Sequence, residues 1–242
     1  MKIILNGAGG RMGKVLRDMA PKKGAEVAAA VDPFVQEEGM LQTLDAFNGT
    51  ADCILDFSNH AGTETLVNFA VERGLPVVVA TTGHTQQELD MIQAAAKKVP
   101  VFHSGNMSLG IAVLRQLVQQ AVKMFPDADI EIVEAHHNQK LDVPSGTALM
   151  LAKAAQASRP DSNLLVGRHE NGKRTKQEIG IHSLRMGNTV GIHEVIITTG
   201  TQIITLKHEA QDRALFAEGA LAAGAFLIGK APGLYTMDDI VK

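Results

Sequence analysis

Residues 2–13 read Lys-Ile-Ile-Leu-Asn-Gly-Ala-Gly-Gly-Arg-Met-Gly, a short apolar run followed at once by a glycine-rich turn. The run predicts a strand over Lys2–Asn6, and the turn after it opens a helix. Gly7, Gly10 and Gly13 are spaced three residues apart. A turn without Cβ atoms lets the backbone approach a pyrophosphate, which the N–H groups of a helix start can bind. The stretch therefore predicts a dinucleotide-binding unit.

Strands and helices alternate through the first hundred residues. Apolar runs bounded by Gly, Pro or Asp predict strands at Lys2–Asn6, Glu26–Val31, Asp52–Phe57, Pro76–Ala80 and Val101–His103. Helical spacing predicts helices at Lys14–Ala20, Thr63–Arg73 and Thr85–Lys97. This alternation is typical of a parallel sheet with helices on both faces, so the first part is expected to be a doubly wound, Rossmann-type α/β unit.

The pattern changes near residue 108. An apolar helix is predicted over Ile111–Phe125, with a buried stripe formed by Val113, Leu114, Leu117, Val118, Ala121 and Val122. A strand at Ile130–Ala135 and a helix from Ser145 follow, and residues 160–176 are expected to form a polar, mobile loop. Three strands without intervening helices come next, at Ile179–Arg185, Ile192–Thr199 and Gln202–Ala210, before a final helix at Phe216–Ile228. We therefore expect a second, α+β domain with an open mixed sheet.

Composition excludes several classes of protein. The 242 residues contain 23 Lys and Arg against 26 Asp and Glu, without the clustered basic excess of a nucleic-acid binder. The longest nearly uncharged apolar stretch, Ala220–Gly229, is far shorter than the roughly 18 residues of a membrane span. No signal peptide is expected before the first strand, and the single cysteine, Cys53, agrees with a reducing compartment. We expect a cytoplasmic location.

An acid follows the second predicted strand. Asp32 lies 32 − 13 = 19 residues after Gly13, where a carboxylate can accept hydrogen bonds from the adenosine ribose. This charge favours NAD over NADP, because a 2′-phosphate would meet a like charge. Pro33 offers that phosphate no basic partner, although Arg11 could.

Polar loops follow the third and fourth strands, at residues 57–60 and 80–84. Ligands of open α/β sheets bind outside the carboxyl ends of the strands, so both loops are expected to border the cofactor. For Thr81 and Thr82, capping of the following helix is an equally simple explanation.

Residues 134–148 carry the most chemistry. His136, His137 and Lys140 follow a strand, and Pro144–Thr147 opens a helix whose backbone N–H groups suit a carboxylate. The combination indicates a site at which an anionic substrate gains a proton. The two histidines could instead ligate a metal, but no carboxylate or cysteine accompanies them at a suitable spacing, so no metal is predicted.

The glycine turn together with residues 134–148 resembles dihydrodipicolinate reductases, the 4-hydroxy-tetrahydrodipicolinate reductases of bacterial lysine biosynthesis. Asp56-Phe57-Ser58, Thr81-Thr82-Gly83, Asn106-Met107-Ser108, Arg185-Met186-Gly187 and Gly191-Ile192-His193 also occur in that family's order. The resemblance implies reduction of a cyclic dicarboxylic imine, with a hydride from nicotinamide and a proton to the adjacent carbon. It also implies a homotetramer, with residues 1–108 and 214–242 binding the dinucleotide and residues 109–213 binding substrate and forming the oligomer.

The same resemblance implies roles for individual residues. His136 would be the acid/base and Lys140 the proton donor, while His137, Gly146 and Thr147 would hold a substrate carboxylate. The implied cofactor contacts are Gly7, Ala8, Gly9, Gly10, Arg11, Met12, Asp32, Ala80, Thr81, Thr82, Ser104, Gly105, Asn106 and Met107. Many relatives carry Arg at the position of Pro33, so NADH is the expected cofactor here and NADPH the alternative.

Two other functions fit parts of the sequence. One is a different nicotinamide-dependent oxidoreductase on the same scaffold, acting on another amino or imino dicarboxylate. The other is a non-catalytic nucleotide sensor, which would keep the glycine turn. A sensor would have little use for a proton donor beside a carboxylate-binding helix start, and a different substrate would not require residues 136–147 in this order.

Overall fold

A computed structural model describes residues 1–242, which form two units. The first unit contains residues 1–108 and 213–242, and the second contains residues 109–212. None of the helices combines the length and the apolar character that a membrane span requires.

The first unit contains one sheet and five helices, numbered here in chain order along the whole protein. Its strands are β1 (Lys2–Asn6), β2 (Glu26–Val31), β3 (Met40–Leu41), β4 (Cys53–Asp56), β5 (Val77–Val79), β6 (Pro100–His103) and β12 (Gly233–Tyr235). Its helices are α1 (Arg11–Lys22), α2 (Thr63–Arg73), α3 (Gln86–Ala96), α6 (Ala214–Leu227) and α7 (Met237–Ile240).

All seven strands are parallel, in the order β12-β6-β5-β4-β1-β2-β3. The central strands are buried on both faces, as parallel strands covered by helices on each side must be. One face carries Ile4 and Ile54 into a core beneath α2 and α3. On the other face α6 passes Cys53 and Leu55 so closely that Gly224 has little room for a side chain. The predicted doubly wound parallel sheet is confirmed.

The second unit contains one sheet and two helices. Its strands are β7 (Asp129–His136), β8 (Asn163–Val166), β9 (Glu178–Arg185), β10 (Gly191–Thr198) and β11 (Ile203–Ala210), and its helices are α4 (Leu109–Met124) and α5 (Gly146–Ser158). The strand order is β11-β10-β7-β9-β8. Strand β10 is antiparallel to both neighbours, whereas β7, β9 and β8 are parallel, which confirms the predicted mixed sheet.

Helix α4 corrects one predicted feature. Its buried positions include Ile111, Leu114 and Val118, which recur at helical spacing and pack against the sheet and α5. Val113 and Leu117 were predicted to be buried, but their exposed fractions are 45% and 44%. The prediction was wrong because the apolar residues of α4 extend around more of the helix than the second unit covers.

The prediction of a mobile loop over residues 160–176 is also wrong. The predicted loop contains β8, which pairs with β9 in parallel. The guanidinium of Arg159 donates to the carbonyl oxygens of Ala128 (2.7 Å) and Lys176 (2.5 Å), and that of Arg174 donates to the carbonyl oxygen of Ile130 (3.0 Å). These contacts attach both ends of the segment to the sheet. Polar composition concealed them, because the partners are backbone carbonyls that carry no sequence signal.

A glycine in α6 provides a test of the packing in the first unit. A Cβ at Gly219 would overlap the carbonyl oxygen of the buried Met107, so Gly219→Ala is expected to lower the free energy of unfolding by about 1–3 kcal/mol. Without that overlap, alanine would stabilise the helix by roughly 1 kcal/mol, so stabilisation in urea denaturation would contradict the packing. Gly105→Ala is the control, because nothing lies within 4 Å of its Cβ position.

Candidate active site

The glycine turn after β1 has the geometry of a dinucleotide-binding loop. Gly7 has a φ of +80°, and a Cβ there would lie 2.5 Å from the carbonyl oxygen of Phe57. A Cβ at Gly13 would overlap the carbonyl oxygen of Gly7, so α1 can pack this closely against the end of β1 only because residue 13 has no side chain. These are the first and third glycine positions of the motif, which require a tight turn and close helix–strand packing.

The start of α1 fits an anionic group. Gly10 precedes the helix without a side-chain cap, and no acidic residue lies in the first turn. The backbone N–H groups and the positive end of the helix dipole therefore favour a phosphate. Arg11 is exposed at this end, Met12 is half-buried and Ala8 is fully buried beneath the turn.

Asp32 has more partners than the sequence predicted. Its Oδ2 accepts from the backbone N–H of Gly9 (3.0 Å), and its Oδ1 accepts from those of Phe34 (3.0 Å) and Val35 (3.2 Å). A carboxylate offers about four acceptor positions, so one is left for a ribose hydroxyl. Through these bonds Asp32 joins the turn after β2 to the glycine turn. The two turns are also in contact, because the side chain of Val35 packs where a Cβ of Gly9 would lie.

A second buried carboxylate joins the loops at the carboxyl ends of three strands. Asp56 accepts hydrogen bonds from Asn6 (2.8 Å), Ser58 (2.6 Å) and Thr81 (2.6 Å). Asn6 is the last residue of β1, Ser58 follows β4 and Thr81 follows β5. Burial raises the pKa of Asp56, and these hydrogen bonds oppose that effect. No role was predicted for Asp56, although its place at the end of a buried strand beside Ser58 was a usable signal.

The capping explanation for Thr81 and Thr82 is wrong. Thr85 caps α3, its hydroxyl accepting from Glu88 N–H in a reciprocal capping box. Thr81 donates to Asp56 instead, and Thr82 is exposed. Ala80 continues the ladder by donating its N–H to the carbonyl oxygen of Asp56 (3.0 Å).

The loop after β6 is held by its own side chains. The Ser104 hydroxyl donates to the carbonyl oxygen of Asn106 (2.7 Å), and the Asn106 side chain accepts from the N–H of Ser108 (2.8 Å). Gly105 is exposed at the tip, and Met107 is buried. The predicted cofactor residues of the first unit thus lie in loops that leave the carboxyl ends of parallel strands, or in the first turn of α1, where α/β sheets bind ligands.

In the second unit, the acid/base candidate His136 is paired with a carboxylate. Glu134 and His136 are two residues apart on β7 and therefore lie on the same face of the sheet. Oε2 of the fully buried Glu134 lies 2.5 Å from Nδ1 of His136, and both carboxylate oxygens accept from Arg185 (3.0 Å each). Burial acts to raise the pKa of Glu134, but the hydrogen bonds from His136 and Arg185 outweigh it and hold that pKa far below its usual value.

A second histidine packs against the first. The rings of His136 and His193 are 5.1 Å apart in an edge-to-face arrangement, and Nε2 of His193 lies 3.1 Å from the hydroxyl of Ser145. That hydroxyl also accepts from the N–H of Ala148 and caps α5. Burial, with a smaller contribution from the nearby His136, lowers the pKa of His193 to about 4, so His193 is neutral near pH 7.

The remaining predicted residues surround this pair. Lys140 forms an ion pair with Asp142 (2.9 Å), whose carbonyl oxygen accepts from Arg185 (2.7 Å). Gly146 is exposed in the first turn of α5, with nothing within 4 Å of its Cβ position, while His137 and Thr147 are half-buried. No role was predicted for Glu134, Arg185 or His193, although the two-residue spacing of Glu134 and His136 indicates that they share a face of the strand.

A dinucleotide loop in one unit and a buried histidine–carboxylate pair near a helix start in the other define a class, the nicotinamide-dependent oxidoreductases. No group of three or more His, Cys, Asp or Glu residues is arranged to hold a metal ion. Two family models match the chain: dihydrodipicolinate reductase, N-terminus, over residues 1–107, and dihydrodipicolinate reductase, C-terminus, over residues 110–241. The chain therefore belongs to the dihydrodipicolinate reductase family, as the sequence predicted.

Curated relatives and a solved structure agree with this assignment. The chain is 45% identical over 247 residues to the 4-hydroxy-tetrahydrodipicolinate reductase of Caldanaerobacter subterraneus subsp. tengcongensis, and 42% identical to that of Clostridium novyi. Each alignment covers 100% of this chain and 98% of the relative. A dipicolinate-bound dihydrodipicolinate reductase from Paenisporosarcina sp. TG-14 shares the fold, with a TM-score of 0.83, 23% identity and 99% coverage of both chains.

The pKa of His193 generates a prediction about stability. A histidine at 6.5 in the unfolded chain and about 4 in the folded protein binds protons more readily when unfolded between these values. The stabilisation it provides is thus complete above about pH 6.5 and is lost as the pH falls toward 4. We expect Tm to fall less steeply between about pH 7.5 and about pH 5 in His193→Asn than in the wild type.

The control for this comparison is His169→Asn. His169 is exposed, and its ring forms a hydrogen bond with the nearby carbonyl oxygen of Gly167. Its slope should match that of the wild type. Equal slopes for all three proteins in thermal unfolding would contradict a neutral, buried His193.

Proposed function

We propose that this protein uses NAD(P)H and a proton to convert 4-hydroxy-tetrahydrodipicolinate to tetrahydrodipicolinate, in the diaminopimelate route to lysine, with NAD(P)⁺ formed and the 4-hydroxyl group lost as water. The observation that carries the proposal is the Glu134–His136 pair on β7, a proton source beside the N-terminus of α5, which suits a carboxylate. Reduction of a C=N or a conjugated C=C bond ends with a proton on the product, so a dicarboxylic imine needs a proton source. It also needs groups that bind its carboxylates. The substrate in the names of the relatives is such a dicarboxylate.

His136 is proposed as the acid that supplies this proton. Its Nδ1 is engaged by Glu134, so Nε2 is the nitrogen that exchanges a proton with substrate. Lys140 acts as a second cationic donor and is held by Asp142. The dinucleotide, bound by residues 7–12 and the loops at 80–82 and 104–107, supplies the hydride.

The start of α5 is proposed to bind a substrate carboxylate. Ser145 caps the helix with its hydroxyl, and the N–H groups of the first turn, at Gly146 and Thr147, belong to the positive end of the helix dipole. The open space beside Gly146 admits a carboxylate oxygen close to the backbone. His137 adds a further polar group on the strand side of the loop.

NADH is proposed as the preferred cofactor. Asp32 retains one acceptor position for a ribose hydroxyl and repels a 2′-phosphate. The turn that follows contains Pro33, Phe34 and Val35, none of which is basic, and the nearby Arg17 is paired with Glu37. Arg11, exposed in the first turn of α1, is the cation proposed to favour NADPH.

Assembly and location belong to the same proposal. The second unit is proposed to bind substrate and to form a homotetramer through the sheet face opposite α4 and α5, where Ile196 and Val133 are only half-buried. A cytoplasmic location stays a prediction from the sequence. Light scattering after size-exclusion chromatography measures the oligomeric state directly.

The reaction is tested by the loss of NADH absorbance when the purified protein meets substrate freshly formed from pyruvate and aspartate semialdehyde. We expect rapid oxidation that depends on substrate. Protein that binds NADH but turns over neither NADH nor NADPH would contradict the proposed reaction and favour another imine or a sensor.

In the same assay, Lys140→Ala is expected to lower kcat by about 100-fold or more, because a proton donor is lost, while the Kd for NADH is unchanged. Lys176→Ala provides the control, since Lys176 is an exposed lysine of the same unit in a long ion pair with Asp127 (3.9 Å). An unchanged kcat in Lys140→Ala would remove Lys140 from the mechanism.

Cofactor preference is tested with Asp32→Asn. We expect the Kd for NADH to rise about tenfold, because NADH loses a hydrogen bond to a charged acceptor. The Kd for NADPH should change much less, because the repulsion between Asp32 and the 2′-phosphate is removed at the same time. Asp52→Asn is the control: Asp52 also accepts a backbone N–H, that of Lys2 (2.6 Å), but it precedes β4 rather than following it. Equal losses for both cofactors in fluorescence titrations would mean that Asp32 does not contact the ribose.

A further inference from the structure

We propose that Glu134 is the positioning residue of the second unit, and that one buried carboxylate sets the tautomer of His136, the start of α5 and, through Arg185, the loop that carries Lys140. This inference rests on the proposed function, because it concerns the acid of that reaction. Glu134 contacts neither substrate nor cofactor in it and acts through the groups that surround it.

The number of hydrogen-bond donors around Glu134 matches its capacity. Oε1 accepts from the backbone N–H of Ser145 (3.1 Å) and from Nη2 of Arg185 (3.0 Å). Oε2 accepts from Nη1 of Arg185 (3.0 Å) and faces Nδ1 of His136 (2.5 Å). An ionised carboxylate has about four acceptor positions and no donor, so four donors satisfy it completely.

This arrangement fixes the tautomer of His136. The carboxylate can only accept, so the proton of a neutral His136 must lie on Nδ1. Nε2 is then the nitrogen that takes up and releases a proton. It lies 3.1 Å from the position that a Cβ of Gly191 would occupy, so the glycine keeps a side chain away from Nε2. The opposite tautomer would direct a lone pair at the carboxylate.

The same carboxylate organises two neighbouring segments. Its bond to the N–H of Ser145 holds the residue that caps α5, directly before the proposed carboxylate-binding turn. Arg185 extends the network by donating to the carbonyl oxygen of Asp142 (2.7 Å), and the carboxylate of Asp142 holds Lys140. Removal of Glu134 would therefore disturb the acid, the helix start and the lysine loop together.

The other ionisable groups near this network do not replace Glu134. His193, on the neighbouring strand β10, contacts the His136 ring but is neutral near pH 7. Lys140 and Arg185 are cations, and Asp142 bonds Lys140 with its carboxylate. Glu134 is thus the anion that can accept from Nδ1 of His136.

The chain contains a matched control on the same strand. Glu131 lies on the opposite face of β7, where it contacts Nε2 of His182 (2.9 Å) and Nε of Arg174 (3.2 Å). It is therefore another glutamate bound to one histidine and one arginine, in the same sheet. Because it lies away from His136, Glu131→Gln removes an equivalent charge and leaves the proposed network intact. Glu131 lies on the sheet face proposed for assembly, so light scattering must first show that Glu131→Gln has the oligomeric state of the wild type.

The experiment compares Glu134→Gln with Glu131→Gln in the full chain. Glutamine has two donors of its own, so it cannot accept from all four groups. We expect Glu134→Gln to lower kcat by at least about 30-fold and to weaken binding of dipicolinate, a stable pyridine dicarboxylate, with the Kd for NADH unchanged. Histidine 15N NMR should show the Nδ1–H tautomer of His136 in the wild type and in Glu131→Gln, and its loss in Glu134→Gln.

Retention of the Nδ1–H tautomer in Glu134→Gln, or a kcat within threefold of that of Glu131→Gln, would overturn the proposal. If Glu134→Gln does not fold, Arg185→Lys takes its place: it should weaken dipicolinate at least about tenfold at constant NADH affinity, and unchanged dipicolinate affinity would overturn it. Tautomer and dipicolinate measurements need no turnover. A wild type that fails to reduce the substrate therefore rejects the proposed reaction without deciding the role of Glu134.

Discussion

A carboxylate can be buried in a protein only where donors surround it, and this constraint organises both units. Asp32 and Asp56 in the first unit and Glu134 in the second each lie at or near the carboxyl end of a parallel-paired strand and are almost fully buried. Each accepts hydrogen bonds from segments that are separate in sequence. The loops that must be precise for chemistry are therefore held by acids at the strand ends, and the apolar cores beneath them supply the rigid support.

The three carboxylates differ in the charge of their donors, and their electrostatic behaviour follows from it. Asp56 is surrounded by an amide and two hydroxyls, so burial is the larger effect and its pKa is raised. Glu134 is also buried, but the hydrogen bonds from His136 and from the cationic Arg185 hold its pKa far below the usual value. Charged donors compensate a buried anion more fully than neutral donors do. The first arrangement suits a structural junction, and the second suits a partner for an imidazole that becomes charged.

Most of the fold could be predicted from local pattern. The bounds of β1, β2 and α2 agree with the prediction, because Gly7 follows β1, Asp32-Pro33 follows β2 and Gly74 ends α2. Strands of two to four residues, such as β3, β8 and β12, have too few residues to show a period. Val113 shows the related difficulty that apolar residues identify a helix but do not show how much of it is covered.

The site divides in the same way. The glycine turn, His136 and Lys140 are local motifs, and they were found in the sequence. The pairing of Glu134 with Arg185 was not, because Arg185 is 51 residues away and is brought beside it by strand pairing. Asp32 was predicted only as an acceptor for the ribose, and its bond to the glycine turn was not foreseen, since Gly9 is 23 residues away. Contacts between distant segments depend on the register of the sheet, which residue spacing does not reveal.

The division of the first unit into two segments has a consequence for synthesis on the ribosome. Strands β4 to β6 leave the exit tunnel well before α6 and β12, which cover one face and extend the edge of the same sheet. The second unit is continuous in sequence and has all its strands by Ala210. Domains usually fold in the order of their synthesis, but here the later-starting unit is the first to be complete. The part of the nucleotide-binding sheet that α6 covers therefore stays exposed until the last thirty or so residues of the chain have been synthesised.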